Sequence, residues 1–448
     1  MRFADAVAEL DSRQPEHMPK PDLERIRALA DLLDDPQLRY PTIHVTGTNG
    51  KTTTARLTAR IACAQGLATG LFTSPHLETV RERLQLCDET ISAKEFGEEY
   101  EHLLPYLRTV DERAGRVTYF EALVALAFLW FADKPVDLGL FEVGMGGTWD
   151  ATNVVAGQVA VLCSIALDHP ELGATPAEVA KEKVGIVKAG AVAVVREQPP
   201  EGLAVIQARC EEVGARMLLE DRDWGLEIRA PAVGGQALTL RGIHATYEDM
   251  LLPLFGEFAA RNAAAAVVAV ETLLEHELED DALRAALAGA TSPGRLEVAA
   301  RRPLILLDGA HNPGAAEALA TALPESFTWG RLHLVLAVFS NKDLDGIVEQ
   351  LAPLADVGHA ATTTSVRARP AEEVARALAL HGIPTQTFGS VEDALAAARE
   401  AADDGDLILV TGSLYTVAAA RRTLGVQQRS GGSDGLGSDL RHLDEEDV

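Results

Sequence analysis

The chain has 448 residues, of which 47% are hydrophobic and 24% are charged, a balance typical of globular proteins. This composition excludes a wholly disordered or fibrous chain, and the length favours two or three domains. The longest apolar run, residues 122–132, falls short of the roughly 18 residues that span a bilayer, and no secretory apolar segment follows Met1. We therefore expect a cytoplasmic protein without membrane contact, in which residues 122–132 form a buried helix.

The chain is strongly acidic, with 40 lysine and arginine residues against 67 aspartate and glutamate residues and a net charge of −27. Such a charge excludes broad contact with nucleic acid or anionic lipid, so anions should bind only at small local sites. The four cysteines are far apart and lack the paired spacing of a zinc site or a disulfide framework. We expect all four to be reduced thiols: Cys63, Cys87, Cys163 and Cys210.

Short apolar runs alternate with longer helical segments along the chain. Strands are predicted at 41–46, 137–142, 159–165 and 191–195, and an amphipathic helix at 177–187. A second set of strands is predicted at 304–308, 332–338 and 406–411. This alternation indicates parallel strands joined by crossover helices. The sequence therefore predicts an α/β fold with two doubly wound domains, whose ligands should lie at the carboxyl ends of the strands.

The segment at 291–295, Thr-Ser-Pro-Gly-Arg, is typical of a hinge or linker because it contains adjacent proline and glycine. We place a domain boundary there, which gives a larger domain at 1–294 and a smaller domain at 295–426. Residues 427–448 contain few apolar side chains and end in an acidic run. This composition predicts a disordered tail.

A glycine-rich turn follows the first predicted strand and precedes a predicted helix. Its backbone amides and the helix N-terminus are suited to phosphate, with Lys51 as a mobile cation and the Thr52 hydroxyl within reach of Mg²⁺. Val45 stands where the general P-loop pattern has glycine. The alternative is a turn that only caps the helix. We predict a P-loop ATPase domain with these nucleotide contacts: Gly47, Thr48, Asn49, Gly50, Lys51, Thr52 and Thr53.

Two predicted strands end beside polar side chains that could hold a metal. Glu142 ends one strand at a position where Mg²⁺ is normally bound near a P-loop, although an exposed acid would look the same. Asp168 and His169 follow the next strand, and a single histidine there could equally be structural. Lys183 lies on the amphipathic helix, where physical reasoning alone predicts a solvated side chain.

These segments resemble, in the same order, the folylpolyglutamate synthase and dihydrofolate synthase family within the Mur ligase superfamily. The resemblance covers about residues 18–425, and only the ordered set of motifs is specific. The matching motifs are the P-loop, 70–77 (GLFTSPHL), 142–147 (EVGMGG), 150–153 (DATN), 167–169 (LDH), 182–183 (EK), 292–295 (SPGR), 308–313 (DGAHNP) and 412–415 (GSLY).

The resemblance implies roles for individual residues. Ser74, Glu142 and His169 correspond to ligands of Mg²⁺, of which two ions are expected. Lys183 corresponds to a lysine that CO₂ converts to a metal-supporting carbamate, and Lys51, Lys183 and His311 are the expected catalytic residues. Further expected contacts are Asn262, Arg295 and Asp308 for ATP, His311 and Ser413 for glutamate, and Thr118, Phe120, Glu121, Trp149, Asp150 and Ala151 for a pterin.

The activity that the resemblance implies is an ATP-dependent ligation. L-Glutamate would be added to dihydropteroate, to reduced folylglutamates, or to both, through an acyl phosphate and with release of ADP and phosphate. The expected protein is a monomer whose partners are small molecules. One alternative is a ligase that acts on UDP-muramoyl cell-wall precursors, and another is a P-loop switch that only hydrolyses nucleotide.

Overall fold

The computed structural model describes residues 1–13, 22–134, 136–168, 170–365 and 367–426. Its first sheet has eight strands among these residues, in the order β4-β3-β2-β5-β1-β6-β7-β8. The strands β2, β5, β1, β6, β7 and β8 are parallel to one another. The strands β3 and β4 pair in antiparallel fashion at one edge. The four strands predicted in this half are confirmed. The strands are β1 (Thr42–Thr46), β2 (Thr69–Phe72), β3 (Leu84–Leu86), β4 (Glu89–Thr90), β5 (Leu138–Glu142), β6 (Val159–Leu162), β7 (Val192–Val195) and β8 (Arg216–Leu219).

Helices cover the faces of this sheet. The predicted buried helix is confirmed, because each residue at 119–131 is buried between the sheet and its neighbouring helices. Among the described residues, none of the helices combines the length and apolar character that a membrane crossing needs. The helices are α1 (Phe3–Asp11), α2 (Glu24–Leu32), α3 (Lys51–Ala64), α4 (Ala93–Arg113), α5 (Tyr119–Asp133), α6 (Pro176–Lys183), α7 (Pro200–Val213), α8 (Glu257–Leu274) and α9 (Asp280–Ala288).

A small antiparallel sheet, which the sequence analysis did not predict, packs against α8. Its strands are β9 (Gly225–Ala232), β10 (Gly235–Arg241) and β11 (Thr246–Leu252). β10 buries alternate residues against the helix, whereas the alternation is irregular in β11 and absent in β9.

The second half of the chain forms another α/β unit. Its sheet has the order β12-β13-β17-β14-β15-β16 and is parallel except at β12. The α/β prediction is thus confirmed in both halves, whereas a domain boundary at residue 295 stays a prediction and the tail at 427–448 lies outside the described residues. The elements are β12 (Glu297–Arg301), β13 (Leu304–Leu307), α10 (Pro313–Ser326), β14 (Leu332–Leu336), α11 (Leu344–Leu351), β15 (Val357–Ala361), α12 (Ala371–Leu380), β16 (Thr385–Phe388), α13 (Val391–Ala401), β17 (Leu407–Thr411) and α14 (Leu414–Leu424).

The expectation of four reduced cysteines is wrong for two of them. Cys63 and Cys87 form a disulfide with their Cα atoms 5.8 Å apart, while Cys163 and Cys210 are free and buried. The last turn of α3 lies beside the β2–β3 hairpin, where the Cys87 amide donates to the Thr69 carbonyl. The two cysteines are 24 residues apart in the sequence, so only the tertiary fold reveals the pairing.

A buried histidine pair in the second sheet should make stability sensitive to acid. His359 lies between His333, whose Nδ1 is 3.2 Å from its Nε2, and the ring of Phe388. Burial lowers the pKa of His359 to about 4, whereas an unfolded histidine titrates near 6.5. The unfolded chain therefore binds more protons between these values, and stability is lost as the pH falls through this window.

We expect His359→Asn to reduce the loss of unfolding free energy between about pH 7.5 and about pH 5 by roughly 2 kcal/mol. Urea denaturation at both pH values measures this difference. Asn removes the titrating group while keeping a polar side chain of similar size. The exposed His381 offers a control, because His381→Asn should leave the pH dependence as in the wild type. A His359→Asn protein with wild-type pH dependence would contradict the assignment.

Candidate active site

The glycine-rich turn joins β1 to the N-terminus of α3. Gly50 has a positive φ of 89°, and a Cβ there would lie 2.7 Å from Asn262 Oδ1. Gly47 is equally tight, since a Cβ would lie 2.5 Å from the Cβ of Cys163. The turn therefore needs glycine at both positions, and its amides stand at a helix N-terminus suited to phosphate.

Glu142 ends the central strand β5 directly beside this turn. Its Oε1 accepts from the Thr52 hydroxyl at 2.7 Å, and its Oε2 accepts from the Ser74 amide at 3.0 Å. The residue is only 1% exposed, and this burial raises the pKa of Glu142, although the nearby Lys51 charge opposes the shift. The expected strand-end acid is thus a buried carboxylate and not an exposed one.

Two lysine amines meet at one carbonyl of the turn. Lys51 Nζ donates to the Gly47 carbonyl at 3.0 Å and to the Thr48 carbonyl at 3.2 Å, and Lys183 Nζ donates to the Gly47 carbonyl at 2.8 Å. Lys183 is 3% exposed. The prediction of a solvated side chain, made from physical reasoning alone, is therefore wrong. Burial, with the Lys51 charge, lowers the pKa of Lys183 to about 7.

Residues of the second half lie against the turn. Asn312 Nδ2 donates to Asn49 Oδ1 at 3.1 Å, and His311 Nε2 is 3.3 Å from a carboxylate oxygen of Asp168. The amine of Lys342 also contacts the Asp168 carboxylate. These contacts bring the predicted His311 to the mouth of the P-loop, while His169 lies outside the described residues.

The other residues predicted to contact ATP or glutamate surround this junction. Asn262 is buried beside Gly50 and accepts from Arg196 at 2.6 Å. The Asp308 carboxylate accepts from the Leu296 and Ala310 amides, and burial raises its pKa. The guanidinium of Arg295 lies against Gly309, where a Cβ would be 2.2 Å from its Nη1.

Ser413 is buried at the N-terminus of α14. It is 3% exposed and caps α14, since its hydroxyl accepts from the Thr416 amide at 3.1 Å. The neighbouring Gly412 amide donates to the Ala310 carbonyl, next to His311. The structure therefore places Ser413 in the same loop cluster as His311 but engages its hydroxyl in the helix cap.

The residues predicted for a pterin begin at the start of α5. Thr118 and Glu121 form a capping box, and the Glu121 carboxylate binds the guanidinium of Arg25 at 2.9 and 3.0 Å. Phe120 is 4% exposed, its ring centre is 5.9 Å from that of Phe72, and it faces the chain after Glu142. Of these side chains, Phe120 thus packs directly against the loop that follows Glu142.

The other residues predicted for a pterin lie in the loop after β5. The Asp150 carboxylate accepts from the Met145 amide at 3.0 Å and from the Thr152 amide at 2.9 Å, which holds the loop in a tight turn. Ala151 is buried next to it, while Trp149 is 49% exposed at the rim. An exposed indole is suited to contact with a flat ring.

Sequence reasoning missed Lys342, which joins Asp168 from across the two halves. It lies in the loop after β14, at the carboxyl end of a parallel strand. A cation at a strand end was therefore a usable signal. The partner, however, is 174 residues away in the sequence, and no local pattern identifies it.

The comparisons with known proteins agree along nearly the whole chain. The Mur ligase middle domain matches residues 45–270, and the Mur ligase glutamate ligase domain matches residues 294–414. The dihydrofolate synthase/folylpolyglutamate synthase of Mycobacterium tuberculosis is 39% identical, over 93% of this chain and 92% of its own length. The folylpolyglutamate synthase of Lacticaseibacillus casei is 32% identical, over 95% and 99%.

Solved structures give the same result. A Mycobacterium tuberculosis folylpolyglutamate synthase complexed with ADP has a TM-score of 0.91 and 38% identity, covering 95% of this chain and 98% of that one. The E. coli FolC protein in complex with DHPP and ADP has a TM-score of 0.84 and 30% identity, covering 95% and 98%. The chain therefore belongs to the dihydrofolate synthase/folylpolyglutamate synthase family of the Mur ligases, and it is an ATP-dependent ligase.

Proposed function

We propose that the chain joins L-glutamate both to dihydropteroate and to reduced folylglutamates. The observation that carries the proposal is the meeting of Lys51, Lys183 and Glu142 at a P-loop that the His311 loop faces from the second half. Relatives whose names join both activities support two acceptors. These names do not support the alternative of a ligase for UDP-muramoyl precursors. A switch that only hydrolyses nucleotide would not require the contacts that residues of the second half make beside the P-loop.

The reaction requires activation of a carboxylate. The acceptor carboxylate attacks the γ-phosphorus of ATP, which gives an acyl phosphate and ADP. The amine of glutamate then attacks the acyl carbon, and phosphate leaves as the amide forms. In this scheme the P-loop amides bind the phosphates, Lys51 offsets their charge, and the His311 loop orients glutamate. Contact between the two halves excludes water from the acyl phosphate.

The donor set beside the P-loop fits Mg²⁺, which prefers oxygen ligands. Glu142 and Thr52 supply oxygens that already lie 2.7 Å apart, and Ser74 is hydrogen-bonded to the same carboxylate. These residues, with His169, would hold the ion. Bound there, Mg²⁺ would neutralise phosphate charge during transfer.

We also infer that Lys183 carries a CO₂-derived carbamate. Its amine is buried, forms no ion pair with any described residue, and points at the P-loop. A lysine with a pKa near 7 is substantially neutral at physiological pH, and the neutral amine is the form that attacks CO₂. Attack by the neutral amine forms an N–C bond and releases one proton, so a neutral group becomes an anion that could support a second Mg²⁺.

The acceptor pocket leads to a prediction for Trp149. We expect Trp149→Ala to raise the KM for dihydropteroate by about two- to tenfold, because one ring contact contributes roughly 0.5–1.5 kcal/mol. The KM for ATP and the melting temperature should not change, since the side chain is 49% exposed. Steady-state kinetics with each substrate varied measures this. Leu380→Ala, at another exposed apolar residue, is the control and should leave every KM unchanged. A Trp149→Ala enzyme with wild-type KM for dihydropteroate would show that Trp149 does not contact the pterin.

The proposed function is tested by ADP release from the purified chain with ATP, Mg²⁺ and L-glutamate. Dihydropteroate and tetrahydrofolate are supplied in separate reactions, with a UDP-muramoyl peptide as a third. We expect glutamate-dependent ADP release with the first two only. Activity with neither would refute the proposal, and turnover without any acceptor would favour a nucleotide switch. A cytoplasmic location and a monomeric state stay predictions.

A further inference from the structure

Arg56 is a cation near the nucleotide site that none of the roles above uses. It lies on α3 four residues after Thr52, so both residues share one face of the helix. Side chains on a helix lean toward its N-terminus. The long side chain of Arg56 therefore extends back toward the level of the Thr52 hydroxyl, which binds Glu142.

The charges around Arg56 come from both halves of the chain. The carboxylates of Glu82 and Glu142 act on it from the first half, and the guanidinium groups of Arg295 and Arg421 act on it from the second. Arg56 thus lies where the two halves meet beside the P-loop, on the side of Glu142 and Ser74. Its side chain is half-buried at this junction.

No described residue satisfies the Arg56 guanidinium, which forms neither a hydrogen bond nor an ion pair in the described part of the chain. The nearby carboxylates are already engaged. Glu82 accepts from the backbone amides at 77–79, and Glu142 accepts from Thr52 and the Ser74 amide. Arg421, by contrast, pairs with Glu78 and Glu297.

An unpaired guanidinium within a protein is energetically unfavourable. Desolvation lowers the pKa of Arg56, and the two neighbouring arginines act in the same direction. The charge therefore weakens the free protein instead of stabilising it. A residue that costs stability at a functional junction is expected where a charged ligand supplies the missing partner.

We propose that the Arg56 guanidinium binds a reactant oxyanion at the junction of the two halves. Two groups of the reaction have this chemistry, the γ-phosphoryl group of ATP and the carboxylate of the acceptor. Both must come together beside Glu142 for the acyl phosphate to form. This inference rests on the proposed function for the identity of the acceptor but not for the binding of nucleotide.

Arg60 offers a matched control on the same helix, one turn farther along. Its guanidinium donates to the Ala286 carbonyl at 2.8 Å and pairs with Asp88. These partners give Arg60 a structural role, in contrast to Arg56. Replacing the two arginines should therefore have opposite consequences for stability and activity.

The experiment compares Arg56→Gln, Arg56→Lys and Arg60→Gln with the wild type. We expect Arg56→Gln to lower kcat about 100-fold, as for loss of one contact to a reacting oxyanion, with an unchanged or higher melting temperature. Arg56→Lys should recover part of this loss because it keeps the charge. Arg60→Gln should melt at a lower temperature and keep wild-type kcat.

Calorimetric titration separates the two sources of the oxyanion. Weaker binding of AMPPCP to Arg56→Gln would indicate the γ-phosphoryl group, and weaker binding of dihydropteroate or tetrahydrofolate would indicate the carboxylate. Wild-type turnover and binding in Arg56→Gln would overturn the inference, as would a fall in its melting temperature like that of Arg60→Gln. Failure of the wild type to ligate glutamate would count against the proposed function but not against the role of Arg56, because calorimetry measures the binding of AMPPCP and of each acceptor directly.

Discussion

Lys51→Ala should lower kcat by about 10³-fold, because it removes the cation that offsets phosphate charge as the γ-phosphoryl group is transferred. The amine is held by two carbonyls of its own loop, Gly47 and Thr48. It therefore contributes little to the core, and the melting temperature should stay within a few degrees of the wild type. ADP release under saturating substrates measures the effect.

Lys181→Ala is the control for this change. Lys181 is an exposed lysine on α6, so its removal alters the net charge equally without touching the P-loop. Its kcat should match that of the wild type. A Lys51→Ala enzyme that retained wild-type turnover would remove the phosphate role from this residue, whatever the outcome at the acceptor pocket.

The nucleotide side of the site was predictable from sequence because its signals are local. A strand, a glycine turn and a helix are consecutive in the chain, so the position of Lys51 follows directly from their order. Glu142 was predictable for a similar reason. It ends an apolar run, and the carboxyl ends of parallel strands meet at one edge of a sheet.

Features that depend on distant residues were not predictable. The carbonyl that accepts from Lys183 belongs to Gly47, 136 residues earlier in the chain. The amphipathic pattern of the helix alone therefore predicted a solvated lysine where the structure has a buried one. The disulfide between Cys63 and Cys87 is hidden in the same way. The antiparallel sheet β9–β11 was missed because its strands alternate weakly and only one face is buried.

Thr118 and Glu121 illustrate an ambiguity of a different kind. The family resemblance assigns them to a pterin pocket, but their spacing is also that of a capping box, and the structure contains that box. Glu121 additionally binds Arg25, which ties α2 to α5. Contact with a substrate stays a prediction for both residues, whereas the local role follows from four adjacent positions of the sequence.

Lys183→Ala should lower glutamate ligation by about 10³-fold, because the site loses the anion that a carbamate would provide near the phosphates. Added short carboxylates such as formate should restore part of the activity by entering the space that the side chain leaves. Lys183→Arg separates charge from chemistry, since arginine keeps a cation but forms no stable carbamate. We expect it to be as inactive as the alanine variant and to gain nothing from formate.

The pKa of Lys183, lowered to about 7 by burial and by Lys51, gives this prediction a pH dependence. The neutral amine becomes more abundant as the pH rises through this value, so enzyme depleted of CO₂ should recover activity faster at about pH 8 than at about pH 6 when both reactions receive the same concentration of dissolved CO₂. Recovery is followed as ADP release over time. Full activity of Lys183→Arg, or activity independent of CO₂ at both pH values, would show that the lysine acts as a cation instead.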